Sequence, residues 1–232
     1  MARFPDPQDE PGDGPPEASL DAAESLRIIA AQRTVVARDT TPDGRLIFGV
    51  WGVAWLLGYL AMYLSSDESH APAPWAGAAF AALLASAIVV TAVHTSRRSA
   101  GLRGESSRVG AMYGTAWVVC FVVGFALIGR IASWAVDVEG GGAIITIASN
   151  GISCLIVAAL YMAGGAVWDD RRMFLLGLWI GVVVTAATVV GTPYLYLVMA
   201  LAGGGGFLVA AVVEHVRAVR DGTPGRARTR EA

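Results

Sequence analysis

The chain has 232 residues, of which 55% are hydrophobic and 16% charged, and its net charge is −2. So apolar a composition excludes a water-soluble globule, whose surface has to be solvated, and points to a membrane protein. The net charge says little by itself, because the seventeen basic residues are all arginine and are distributed very unevenly.

Residues 1–18 come first and are rich in Pro, Asp and Gly, a composition that cannot bury enough apolar surface to offset chain entropy, so a disordered tail is expected. The first 45 residues contain no apolar stretch of the signal-peptide kind, which leaves the first spanning helix as the targeting signal. Residues 19–40 read as a cytoplasmic amphipathic helix. Between Asp21 and Arg38, the side chains of Ala22, Leu26, Ile29, Arg33 and Val36 share one face, and Glu24 follows a candidate Asp21 cap by three residues. Such a helix either lies on the inner leaflet or docks on the protein's own loops, and Pro42 and Gly44 end it.

Residues 45–216 form the predicted transmembrane domain. Six apolar runs follow one another: Leu46 to Leu64, Trp75 to His94, Gly110 to Gly129, Ala143 to Ala163, Met173 to Gly191 and Pro193 to Val213. Each is close to the roughly 20 residues that cross about 30 Å of hydrocarbon as a helix. Residues 217–232 form a basic tail with five arginines, suited to anionic lipid; without aromatic stacking partners it gives no reason to expect nucleic-acid binding. The expected fold is therefore all-α, a polytopic bundle of six transmembrane helices preceded by a cytoplasmic amphipathic helix.

Sixteen of the seventeen arginines fall in alternate gaps between the runs, and the remaining gaps hold one, Arg130. Because cytoplasmic segments retain Arg and Lys, both termini are expected in the cytoplasm of a bacterial inner membrane, with residues 65–74, 130–142 and 191–193 outside. The odd-numbered runs also share a local pattern. Phe48-Gly49-Val50-Trp51, Tyr113-Gly114-Thr115-Ala116-Trp117 and Leu176-Gly177-Leu178-Trp179 each follow an arginine. Two explanations stand: three copies of a two-helix hairpin in one orientation, or repeated use of Arg and Trp as interfacial anchors.

Few residues in the spans carry chemistry. The phosphate-loop, H-E-x-x-H and G-x-S-x-G patterns are missing, and His70, His94 and His215 lie singly, so no catalytic centre, metal or cofactor is expected. Cys120 and Cys154 lie inside apolar runs, as free thiols whose contact depends on how their helices pack. Arg130 either pairs with Asp137 or Glu139 or guards the mouth of an anion path. Asn150, flanked by Thr146, Ser149 and Ser153, either bonds another helix or lines a polar path. Gly203, Gly204, Gly205 and Gly206 either let two helices touch or break the sixth helix, as transporters do at midplane substrate sites. The group Asp169, Asp170, Arg171 and Arg172 either pins the inner ends of the fourth and fifth helices or docks a cytoplasmic partner.

The S-L-x-x-I helix before F-G-V-W-G-V-A-W, the loop G-G-A-V-W-D-D-R-R-M-F and the segment Y-L-V-M-A-L-A-G-G-G-G-F-L together resemble a group of small uncharacterised bacterial multi-pass membrane proteins. These are often labelled transporter or permease without an assigned cargo. The resemblance implies a six-helix inner-membrane protein and brings no catalytic residues. The expected partners are the bilayer and either a cytoplasmic protein or a separate ATPase subunit, since the chain carries no ATPase motif of its own. Two functions remain open: a permease-like component, or a non-transporting anchor, sensor or assembly factor. No Asp or Glu lies deep in a span, which argues against proton-coupled transport.

Overall fold

The computed structural model describes residues 24–28, 31, 43–67, 71–99 and 105–222. The chain divides into two compact units, residues 1–41 and 42–232. In the first, residues 24–28 and 31 are helical, and the rest of the predicted amphipathic helix lies outside the described residues, as do the tail 1–18 and residues 223–232.

In the second unit every regular element among the described residues is helical. The helices are α1 (Gly44–Leu64), α2 (Pro74–Ser99), α3 (Glu105–Ala135), α4 (Gly141–Val167), α5 (Arg171–Val190), α6 (Tyr194–Val198) and α7 (Gly205–Gly222). A π-helical segment, Met199–Gly204, joins α6 to α7, and Val198, Met199 and Gly205 all keep right-handed helical dihedrals across its ends. Together α6, the π segment and α7 make the sixth span. Among the described residues, six helices are thus long and apolar enough to cross a membrane.

Most helices outrun the apolar stretch that marks them. α3 begins at Glu105 rather than Gly110, and α7 ends at Gly222, beyond the expected domain boundary at 216, so Arg217 and Arg220 sit on the helix and not in the tail. Hydropathy changes where hydrocarbon would give way to headgroups, whereas backbone hydrogen bonding has no reason to stop there.

Short connections fold the spans back on one another. The Asp43 backbone N–H donates to His94 Nε2 at 2.9 Å, joining the start of α1 to the end of α2, while Ser65 Oγ accepts from the Ala73 backbone N–H at the opposite end. Asp43 also caps α1 by accepting from the Arg45 backbone, and its hydrogen bond to the Arg45 side chain holds its carboxyl below the usual carboxylate range. Arg172 Nη1 meets Glu214 Oε1 at 2.6 Å, joining the start of α5 to the end of α7. One end of the bundle thereby carries Arg45, Arg97, Arg98, Arg108, Arg171, Arg172, Arg217 and Arg220, and the other carries Arg130.

The backbones pack in the spatial order α2, α1, sixth span, α5, α4, α3. Among the described residues, α2 approaches only α1 and α3 only α4 within 8 Å, so the row does not close on itself. The core lies in the middle four, around Trp55, Tyr59, Cys154, Ile180, Leu195, Met199 and Phe207. In lipid such packing rests on close van der Waals contact more than on escape from water, which favours small residues where backbones meet. Gly177 is one such point: a methyl group there would stand 2.7 Å from the Ala158 carbonyl oxygen on α4.

Candidate functional site

The polar centre of the bundle is built by α1 and α4. Tyr59 Oη donates to Asn150 Oδ1 at 2.6 Å, and the Cys154 thiol, one turn further along α4, lies 3.8 Å from the same oxygen and 3.9 Å from the Tyr59 hydroxyl. All three side chains are buried. A tyrosine is long enough to reach across two helices whose backbones do not come within 8 Å, and its ring is held by Phe80 of α2 at 4.6 Å and edge-on by Trp55 at 5.8 Å. Thr146, one turn before Asn150, pairs at 3.2 Å with the hydroxyl of Tyr196 from α6.

This centre is not fully satisfied. Asn150 Nδ2 is buried and has no hydrogen-bond partner. Turning the amide over would move the orphan from nitrogen to oxygen without removing it. A buried amide group left unpaired costs on the order of 1–3 kcal/mol, so Asn150 is held at some expense to stability.

The glycine run does not break the sixth span. A methyl at Gly203 would sit 3.0 Å from the Trp55 ring, and one at Gly204 would sit 2.6 Å from the Leu56 backbone nitrogen, so both glycines are used for contact with α1. Gly206 is covered in the same way by the Trp179 indole of α5, while Gly205 faces open space. The π segment ends inside this run. It widens the helix by a residue per turn and rearranges its carbonyls. Ala202 O accepts from Trp179 Nε1 at 3.0 Å, tying α5 to the widened turn.

Arg130 is exposed and lies over the ring of Trp134, 4.5 Å from its centroid, rather than against Asp137 or Glu139. That cation–π contact along one turn of α3 takes it away from the Tyr59–Asn150 centre. In the 168–172 turn, Asp170 caps α5, accepting from the backbone N–H groups of Arg172 at 2.9 Å and Met173 at 3.2 Å. Arg172 reaches Glu214 on α7, while the Asp170 backbone N–H donates to the Gly165 carbonyl of α4 at 2.8 Å, so this turn ties the start of α5 to both α7 and α4. Asp169, in left-handed conformation at φ 52°, and Arg171 remain at the exposed rim.

The structure thus brings Asn150 together with Tyr59 and Cys154, and gathers the glycine run against Trp55, Leu56 and Trp179. It does not bring Arg130 or the 169–172 group to either. Tyr59 is the participant that sequence reasoning missed; its only signal was a phenol among apolar neighbours within a span. Cys120, on α3, and Cys154 are both free thiols, and only Cys154 joins the centre.

The chain matches no protein-family model, no curated protein and no solved structure.

Proposed function

We propose that this protein is a non-transporting module of a bacterial inner membrane, an anchor or assembly factor that works through contacts between helices and at the arginine-rich end. The observation that carries this reading is the use made of Gly203, Gly204 and Gly206. They let the sixth span lie against α1 and α5 in an unbroken helix, where a midplane substrate site would need unwound backbone. Trp55, Tyr59 and Phe207 fill the adjoining space, with Trp55 and Phe207 centroids 5.2 Å apart. The exposed rim residues Asp169 and Arg171, at the end that charge distribution assigns to the cytoplasm, are available to a cytoplasmic partner.

A permease-like component is the second reading, and one observation favours it: the orphaned Nδ2 of Asn150, a donor with no partner in the middle of the bundle. The native thiol beside it separates the two. In a Cys120→Ser background, Cys154 is challenged in intact membranes with a charged, water-soluble methanethiosulfonate. A dry, packed module leaves Cys154 unmodified until the protein is denatured, whereas labelling in the native state means that water reaches Asn150 and overturns the non-transporting reading.

A further inference from the structure

We propose that two copies of this chain assemble side by side, α3 of each packing against α2 of the other, about a two-fold axis normal to the membrane. The inference goes beyond the function proposed above and rests on a repeat within the fold. The three hairpins α1–α2, α3–α4 and α5–sixth span each turn a tryptophan of the first helix onto the second. Trp51 Nε1 donates to Thr91 Oγ1 at 3.0 Å, Trp117 meets Tyr161 edge-on at 6.0 Å, and Trp179 Nε1 donates to Ala202 O at 3.0 Å.

The hairpins also join in one way. The first helix of one packs on the second helix of another: α1 on the sixth span, and α5 on α4. Both junctions bring backbones together over glycine, at Gly204 in one and Gly177 in the other. Cyclic continuation requires a third junction of the same kind, α3 on α2, and within the chain that pair does not meet. The chain therefore carries one unmatched first-helix face and one unmatched second-helix face. The two filled junctions show what covers such faces, namely the complementary helix of another hairpin.

The exposure of α2 and α3 agrees. Of their membrane-crossing windows, 11% and 6% are buried, against 28–33% for the other four. On α2, Ala78, Ala82, Ala85, Val89, Ala92 and Ser96 are all exposed and step by four and three residues, the spacing of a helix-packing seam. On α3 the same spacing runs through exposed Ala111, Thr115, Val118, Val122, Phe125 and Gly129. Small side chains in the first stripe permit close approach in lipid. A second copy presents both missing helices at once, so that two identical junctions close together.

The test is cysteine cross-linking of the full chain in native membranes, in a Cys120→Ser, Cys154→Ala background. Two differently tagged chains are co-expressed, one with Ala85→Cys and the other with Val122→Cys, positions at matching depth in antiparallel helices; Ala82→Cys with Phe125→Cys serves as a second pair. A short bismaleimide is expected to yield a band carrying both tags, while either single variant alone stays monomeric. Three results overturn the proposal: cross-linking within one chain carrying both cysteines, which means that α2 and α3 close on each other; a dimer from Ala85→Cys alone, which means that like faces pair; and the absence of any cross-link with both pairs, which means that lipid covers these faces.

Discussion

Asn150 is the residue at which the bundle departs from a purely apolar design, and its energetics can be read from its partners. Its oxygen accepts from Tyr59, and its nitrogen has no partner. Replacing Tyr59 by Phe leaves the Asn150 oxygen with only the weak Cys154 thiol, and replacing Asn150 by Leu leaves the Tyr59 hydroxyl with only that same thiol. Each change is expected to cost about 1–2 kcal/mol, near the upper range for hydrogen bonds between membrane helices. The double variant Tyr59→Phe, Asn150→Leu removes both polar groups together and is expected to lose less than the sum of the two. Unfolding in mixed micelles with increasing SDS measures all three; strictly additive losses would show that the 2.6 Å contact couples nothing. Asn150 was visible in the sequence as a polar group at depth. Its partner was not, because which of six helices supplies the hydroxyl depends on tertiary packing, and Tyr59 lies 91 residues away along the chain.

At the scale of an element, the sixth span shows why composition alone left two outcomes open. Four successive glycines weaken a helix by about 1 kcal/mol each relative to alanine, which is equally a reason to unwind and a means of close packing. What decides is the surface opposite: α1 presents its own backbone at Leu56, and contact with it is possible only without a side chain. Neighbouring positions should therefore respond oppositely to the same substitution. Gly204→Ala pushes a methyl into the Leu56 main chain, which cannot swing aside as a side chain can, and is expected to cost about 1–3 kcal/mol. Gly205→Ala meets nothing within 4 Å and is expected to be neutral or to stabilise by up to about 1 kcal/mol through helix propensity. Thermal unfolding followed by circular dichroism in detergent compares them, and equal effects would mean that the run serves flexibility rather than contact. The π segment, by contrast, had no signature in the residues; it coincides with the Trp179 hydrogen bond to Ala202 O and with the contact of the run against α1, both of which depend on tertiary packing.

For the whole molecule, the six spans were legible because lipid imposes one simple demand, a long apolar helix, and the chain meets it six times over. The order in which the spans pack was not, because it is set by a few contacts such as Gly177 on Ala158 and Phe207 on Trp55, which no hydropathy pattern encodes. The way the molecule is expected to sit in the membrane follows from charge gathered at one end. Folding collects arginines from four separate stretches of chain, residues 45, 97–108, 171–172 and 217–220, at the same end of the bundle, and leaves Arg130 at the other. Translocating that end would mean carrying eight described guanidinium groups across the bilayer instead of one, each costing roughly 2.5–3.5 kcal/mol at the centre of a span. The arginine-rich end is therefore expected to stay in the cytoplasm. Two positions in the same hairpin decide it: with the native thiols replaced, Ser66→Cys between α1 and α2 is expected to react with an impermeant maleimide added to intact cells, and Thr95→Cys near the end of α2 to react only after lysis. The reverse pattern would turn the molecule over, placing Asp169 and Arg171 outside and removing any cytoplasmic partner from the rim they form.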